Sequence, residues 1–582
     1  MPSFRVFSRH LRTGALALLL PLFLVAGCAQ LPKDVERPVS NALATPADTP
    51  LGALVQQRRG AEKARFDSGF VLLNGPAAAY GSRLALIEGA RRTLDLQYYA
   101  IHADASTGRL LRGVVEAARR GVRVRVLLDD FHSTGRNALV MQLAFEPNIE
   151  MRMFNPVAGA RGSSLGRMVN ALGDFDRVQQ RMHNKLFIAD NAMGVTGGRN
   201  LGDAYFGIAQ TGNFVDVDVL AAGPIVQDMS RSFDSYWNNE RAYPVQSLVE
   251  HAELLKLRDR IRAATAAERE RNDNPDGPQP PDGETRPSDA GPTDAQRAAA
   301  WDEKPLDLRT VTFVWAPAVM LADKPAKIAA EADSPPDTSP SPALVVTQAR
   351  SADGARRLSA LEDASASADG GETVISGLLQ LIDQAQKDLT IISPYFVPGP
   401  DMKRSFAAAR ARGVRVRVLT NSLASNDAPI AHVGYARHRE ELLAMGVELY
   451  EMRSEQASLG SALGASGASA TGESRSMLHS KVLVMDGRLL VVGSMNLDLR
   501  SQLQNTELAL LIRSVELSRA AVAQIEEVMR IGAWHVEQVD GGLVWRAPPG
   551  SGLTDTRTEP DASLGLRLLL KLFGPLAPDE LL

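Results

Sequence analysis

The chain reads as an α/β protein of two similar domains, each a mixed β-sheet flanked by helices, packed with approximate two-fold symmetry about one shared site. Three observations predict this. The first is a duplicated pattern, HxKxxxxD: His183, Lys185 and Asp190 in RMHNKLFIADNAMGVTGGRN, and His479, Lys481 and Asp486 in LHSKVLVMDGRLLVVGSMN. In both copies a G-[GS]-x-N run begins fourteen residues after the histidine, with Gly197, Gly198 and Asn200 in one and Gly493, Ser494 and Asn496 in the other. The second is the heptapeptide GVRVRVL, identical at residues 121–127 and 413–419, 292 residues apart (413 − 121) where the histidines are 296 apart (479 − 183). A long repeat in nearly constant phase means two copies of one supersecondary unit stacked on each other. The third is the alternation of strand-like and helix-like runs in both halves, which builds a sheet covered by helices.

The elements follow in order. Residues 1–27 have an export-signal pattern: Arg5, Arg9 and Arg12 precede the apolar run Ala15–Ala26, which is short for a membrane span. The run ends in Val25-Ala26-Gly27-Cys28, which resembles the bacterial lipobox, and on that resemblance Cys28 is the lipidated first residue of the mature chain. Several acyl chains hold a protein stably at a membrane surface. Residues 28–60 read as a tether and 61–261 as the first domain. Within it Ala77–Ala90 and Gly108–Arg120 are helix-like, and Thr93–Ile101, Val122–Leu128 and Asn148–Phe154 are strands. Residues 262–370 are biased in Pro, Gly and Asp and read as connecting segments, apart from a strand in Arg309–Leu321 assigned to the second half. The second domain, 371–582, repeats the first: helix at Glu372–Ala385, strand at Leu389–Val397, a helix ending at Arg412, strand at Gly413–Leu419 and helix at Ala436–Met445. Ala457–Thr471 reads as a loop over the second motif, and Leu564–Phe573 as a mostly apolar helix packed in the core, with membrane contact the alternative.

The motif segments are strand-like, at His183–Ala189 and Met477–Met485, so His and Lys two residues apart project from one side. Asp190 and Asp486 stand at the strand ends, in turn sequences, and read first as turn and orienting groups. The small residues Gly197-Gly198 and Gly493-Ser494 leave room for a ligand to approach the backbone. Each imidazole needs a partner for its other nitrogen. Glu507, on a strand with Asn505, and Asp218, on FVDVDVL with Asp216 as its neighbour, are the candidates. Tyr98, Tyr99 and Tyr395 are candidate cleft residues, His432 and Tyr435 candidate head-group contacts, and His102 and His132 candidate neighbours of the site.

Composition narrows the function. With 64 basic and 68 acidic residues the net charge is −4; loss of residues 1–27, with their three arginines, leaves 61 against 68, or −7. That balance argues against a dedicated nucleic-acid binder. The single cysteine excludes an internal disulfide and a thiolate metal cluster. Two ammonium groups beside the histidines would repel a cation, and the chemistry calls for no metal or cofactor.

The duplicated HxKxxxxD with its G-[GS]-x-N resembles the phospholipase D superfamily over nearly the whole mature chain apart from the connecting segments. RRGVRVRVLLDD, HNKLFIAD with GGRNLGDAYFG, and the terminal EPDASLGLRLL are most similar to bacterial cardiolipin synthases of the type C branch. The resemblance implies two phospholipase D-like domains and catalysis by His183, Lys185, Asp190, His479, Lys481 and Asp486. It implies phosphatidyl transfer through a covalent phosphohistidine, with His183 as nucleophile and His479 as general acid. Phosphatidylglycerol is then a substrate, phosphatidylethanolamine a possible co-substrate, and the bacterial envelope the location. The residue chemistry agrees. Lys185 and Lys481 neutralise a phosphodiester and its transition state. Asn200 and Asn496, with Gly198 and Ser494 beside them, offer contacts to phosphoryl oxygens. One neutral histidine attacks phosphorus and a protonated one serves the leaving alcohol. Hydrolysis to phosphatidic acid, nuclease action and a non-catalytic lipid-binding module are the competing functions.

Overall fold

The computed structural model describes residues 31–158, 175–210, 212–273, 291–328, 344–347, 373–454, 475–562, 564–565, 567–568 and 578–579. The export signal and Cys28, the loop at 457–471 and most of 564–573 lie outside them.

Two sheets carry the chain. The first has nine strands in the order Val314–Trp315, Gly69–Asn74, Val217–Ala222, Met193–Gly197, Leu186–Ala189, Thr93–Tyr98, Arg123–Asp129, Ile149–Phe154 and Ala242–Pro244. The second has ten: Leu344–Thr347, Ala318–Asp323, Leu508–Arg513, Leu489–Gly493, Val482–Met485, Asp388–Ile392, Arg415–Asn421, Glu448–Met452, Ala533–Val539 and Gly542–Arg546. From the second strand of each order onward, eight strands correspond one to one. Their pairings agree as well: antiparallel throughout except for the two neighbouring parallel pairs that the identical heptapeptides centre. Parallel pairs require a crossover, and the helices Ala105–Arg119 and Pro400–Ala411 supply the first one in each half.

The outer face of each sheet is apolar and covered by its own helices. Leu86, Leu110 and Val114 pack over Leu94 and Val126 in the first half; Leu378, Leu381 and Phe406 pack over Leu389 and Val416 in the second. The inner faces form one common core. Phe70, Ile188, Val219, Phe233 and Trp237 of the first half are continuous with Met320, Val484, Leu490, Leu510 and Ile525 of the second. The helices Pro224–Trp237 and Val515–Ile531 flank this seam. The halves are therefore joined by buried hydrophobic surface.

Two boundaries differ from the expectation. Residues 28–60 are not simply a tether. Arg152 donates to Pro38 O at 2.6 Å, Arg125 to Ser40 O at 2.8 Å and Arg123 to Asn41 O at 2.6 Å, while Ala42 N donates to Asp234 at 2.8 Å. The segment is a strap across the first sheet, followed by the helix Pro50–Ala61, which buries Leu51 and Val55. Arginines spaced to present one face of their strands make the groove it fills. The 262–370 segment is also not wholly linker. Asp294–Asp302 is a helix anchored by Arg109, which donates to Glu303 O at 2.9 Å. Val314–Trp315 edges the first sheet, and after two intervening residues Ala318–Asp323 enters the second. Near the C-terminus Leu564 and Leu568 are 72% and 52% exposed, so the described part of that helix is not packed in the core.

Candidate active site at the junction of the two halves

The strands that share the heptapeptide place both histidines. Arg123–Asp129 ends in Asp129, whose carboxylate accepts from Met182 N at 2.9 Å and pairs with Arg181 at 3.4 Å. Arg415–Asn421 ends in Asn421, which brackets Leu478: Leu478 N donates to its Oδ1 at 2.8 Å and its Nδ2 donates to Leu478 O at 2.9 Å. In each half, the residue before the motif histidine is thus clamped by the end of the repeated strand.

Each motif segment then pairs with the opposite half. Met182 bridges Thr506 in parallel, and His183 N donates to Thr506 O at 2.9 Å. Arg475–Leu478 pairs in parallel with Gly212–Val215, and His479 N donates to Val215 O at 2.9 Å. The residue after each of these partners carries a carboxylate. Nδ1 of His183 lies 3.0 Å from both oxygens of Glu507, and Nδ1 of His479 lies 2.7 Å from Oδ2 of Asp216. The acids are exchanged between halves. With Nδ1 engaged, Nε2 of each ring is the atom left for chemistry. Lys185 and Lys481 each donate to the carbonyl of their own motif histidine at 2.6 Å. Tyr99 meets His183 edge-on at 5.0 Å, while Tyr205 and Phe214 lie 5.2 and 5.0 Å from His479.

The two histidines, the two lysines and the two carboxylates are buried, and burial sets their titration. It pushes Lys185 down to about 7, against the attraction of Glu507, and Lys481 down to about 8, against Asp216. It pushes Glu507 up to about 7, with Lys185 opposing. His183 is driven well below its ordinary value by burial, then by Lys185 and Lys481. His479 is lowered by burial and Lys481, but the Asp216 hydrogen bond and charge hold it up. Asp216 stays below the usual carboxylate range: burial acts to raise it, and the His479 bond with the charges of His479, Arg199 and Lys481 overcomes that.

Several expected placements change. Asp218 touches neither imidazole. It lies within the sheet, 2.9 Å from Arg83 and 3.6 Å from Arg199. The strand expected over Phe214–Leu220 breaks at Asp216, and that break turns the carboxylate out toward His479. The motif strands break too: regular pairing resumes only at Leu186 and Val482, past each His-x-Lys. Gly198 and Ser494 do not leave space for ligand. A Cβ on Gly198 would lie 2.4 Å from Oδ1 of Asp216, so that space holds the orienting acid. Ser494 donates instead to Oε2 of Glu507, and Ser501 donates to Oε1 at 3.0 Å. Asn200 is committed, donating to the Tyr205 hydroxyl at 2.9 Å and accepting from Ala100 N at 3.2 Å. Asn496 has a buried amide oxygen position with no partner among the described residues, which leaves one end of that side chain for a ligand.

Asp190 and Asp486 are placed apart from the reacting groups. Asp190 accepts from the amides of Arg91, Arg92 and Thr93, and Asp486 from those of Gln386, Lys387 and Asp388. Both have φ of +53° in their turns. They pin the start of the adjoining strand, as turn residues do. Tyr98 is core, its hydroxyl accepting from Arg83 at 3.2 Å. His432 is buried against Arg439 and Glu559, and Tyr435 donates to Glu451, so neither meets a head group. Tyr395 donates to Asp427 at 2.8 Å, and His132 packs on Tyr99 with burial pushing it down to about 4. Tyr205 and Phe214 were not legible as site residues, because nothing in their local sequence marks that the second half brings His479 near them, and Ser501 was not because only the folded turn carries its hydroxyl back to Glu507.

Paired His-Lys motifs meeting at the junction of two repeated α/β domains define an enzyme of the phospholipase D superfamily. The family model described as cardiolipin synthase, PLD-like domain, matches residues 84–237 and 378–529, and the chain belongs to that family. Cardiolipin synthase C of Escherichia coli (strain K12) is 32% identical over 507 residues, 87% of this chain and 94% of that protein. Cardiolipin synthase A of Pseudomonas entomophila (strain L48) is 24% identical over 465 residues, 79% of this chain and 67% of that one. The crystal structure of phosphatidylserine synthase from Haemophilus influenzae Rd KW20 shares the fold, with a TM-score of 0.51 and 13% identity over 90% of this chain and 99% of its own. The protein is a phospholipase D-superfamily phosphatidyltransferase acting on phospholipids.

Proposed function

We propose that the enzyme makes cardiolipin, passing a phosphatidyl group through His183 to a hydroxyl of phosphatidylglycerol. The observation that carries this reading is the unequal pairing of the two imidazoles, one with Glu507 and one with Asp216. His183, held neutral by its surroundings, attacks phosphorus through Nε2 and forms a P–N bond. The P–O bond to the leaving alcohol breaks, and Nε2–H of His479, supported by ionised Asp216, protonates that oxygen. His479 then takes the proton of the incoming hydroxyl, which attacks phosphorus and releases His183. Lys185 and Lys481 balance the phosphoryl charge throughout. Asp190 and Asp486 act at a distance, through the strands they pin.

The likeness to cardiolipin synthase C supports the lipid assignment, and phosphatidylethanolamine enters as a co-substrate on that likeness alone. We place the enzyme in the bacterial envelope, held at the membrane by lipid on Cys28. No helix among the described residues is long and apolar enough to cross a membrane. The strap across the first sheet leaves only a short span between Cys28 and the docked chain, so such an anchor would hold the first domain close to the bilayer.

The test is purified protein with labelled phosphatidylglycerol in vesicles, with and without phosphatidylethanolamine. Labelled cardiolipin supports the reading. Phosphatidic acid alone overturns it in favour of hydrolysis, and DNA degradation without lipid turnover points to a nuclease.

A further inference from the structure

The two halves differ directly beneath Glu507. In the first half the strand Gly69–Asn74 passes through Gly75, at φ +103°, straight into the helix Pro76–Gly89. In the second half the matching strand is Ala318–Asp323 and the matching helix Val374–Ile382. The register aligns the two connections: Leu73 pairs with Asp218 opposite Gly197, as Leu321 pairs with Ala509 opposite Gly493. Two residues on, Asp323 stands where the first half has Gly75.

Asp323 is tied on every side. Its carboxylate accepts from Glu507 N at 3.0 Å, Val374 N at 2.8 Å and Lys327 Nζ at 2.7 Å. Its amide donates to Glu507 O at 2.9 Å, and its carbonyl accepts from the Tyr236 hydroxyl at 2.7 Å. Lys327 Nζ also donates to Ser501 O at 2.8 Å, and Ser501 in turn donates to the Glu507 carboxylate. The ring is closed: one ion pair fixes both the main chain of Glu507 and the turn whose hydroxyl orients its side chain. The side chains of Asp323 and Lys327 are 0% and 5% exposed. A buried ion pair returns little net stability for its desolvation. At Asp216 the main-chain carbonyl accepts instead from the buried Arg199 guanidinium, and the carboxylate from the amide of the next residue, Val217 N, at 2.8 Å; no described residue of the connecting segment takes part.

We propose that Asp323 and Lys327, supplied by the segment that connects the halves, are positioning residues for Glu507, and through it for His183 alone. The inference rests on the reading of His183 as nucleophile. The pair therefore bears most on formation of the phosphoenzyme, where His183 must be aimed at phosphorus, and less on its breakdown, where the P–N bond already holds the ring.

The experiment follows both steps by rapid quench, across pH, with labelled phosphatidylglycerol vesicles and the full-length chain. The variants are Lys327→Met, Lys327→Arg and Asp323→Asn. Besides Lys327 and Asp323, the titratable and charged groups facing Glu507 are His183, Lys185, Lys481, Asp498, Tyr99 and Tyr236. Loss of the Lys327 cation raises the Glu507 carboxyl further. The acid limb of phosphoenzyme formation then moves to higher pH, and formation slows by about 10²-fold, the usual penalty for a misplaced group. Breakdown slows far less than formation, and Lys327→Arg recovers most of the formation rate. Equal slowing of both steps, or an unchanged profile with only a lower Tm, overturns the proposal. If Asp323→Asn does not fold, the Lys327 pair decides. Peptide mapping separates the two levels. Label on His183 with formation indifferent to Lys327→Met removes this proposal alone, whereas label on His479 removes the role assignment as well.

Discussion

Glu507 and Asp216 perform the same task with opposite tendencies, and the difference is visible atom by atom. Glu507 receives two serine hydroxyls and sits near Lys185, yet burial lifts it to about 7. Asp216 binds His479 at 2.7 Å and stays ionised. His479 must be protonated to serve the leaving alcohol, and Asp216 is what raises its pKa. Asp216→Asn therefore lowers that pKa, moves the alkaline limb of kcat/KM to lower pH and reduces kcat by about 10²–10⁴-fold, the range for general acid catalysis. A pH–rate series checks it. Asp218→Asn is expected to behave differently, because it leaves Arg83 and Arg199 buried beside a neutral group. The expected loss is about 3–5 kcal/mol of stability, seen in denaturant unfolding. His479→Ala should accumulate labelled phosphoenzyme that His183→Ala never forms. Retention of label by the His183→Ala protein would reverse the two roles.

At the scale of elements, the strand breaks matter as much as the strands. The alternation of FVDVDVL puts Asp216 and Asp218 on one face, so periodicity alone does not separate them. The distinction comes from tertiary pairing: Gly212–Val215 leaves its own sheet to join Arg475–Leu478, and the chain turns at Asp216. The strand cores, the helices and the duplicated motif were legible because their apolar periodicity and spacing are local. The exchange of acids was not, because it depends on a segment 263 positions away for one pair and 324 for the other. Gly198 carries a matching prediction. Gly198→Ala places a methyl group where Asp216 now lies. It should cut kcat by about 10²-fold through His479, with Tm displaced by only a few degrees, as steady-state kinetics and thermal melts would register.

Across the whole molecule, the seam between halves is a core and not a contact of finished domains. Phe233 and Trp237 of the first half pack in one cluster with Met320, Leu510 and Ile525 of the second. Calorimetry is expected to show a single cooperative transition, with calorimetric and van't Hoff enthalpies in agreement. Trp237→Ala should lower that one transition by about 3–5 kcal/mol without splitting it. The repeat made two domains legible, but composition concealed where one ends. Pro- and Asp-rich stretches flank Ala318–Asp323, so a strand paired on both sides in the second sheet stands amid sequence that reads as spacer.

The exchanged acids also limit how this scaffold can be recombined. A chimera that takes one half from a relative separates both imidazoles from the carboxylates they were matched to, even with every motif residue retained. Graft boundaries would have to follow the couples, moving His183 together with Glu507 and His479 together with Asp216, instead of following the chain.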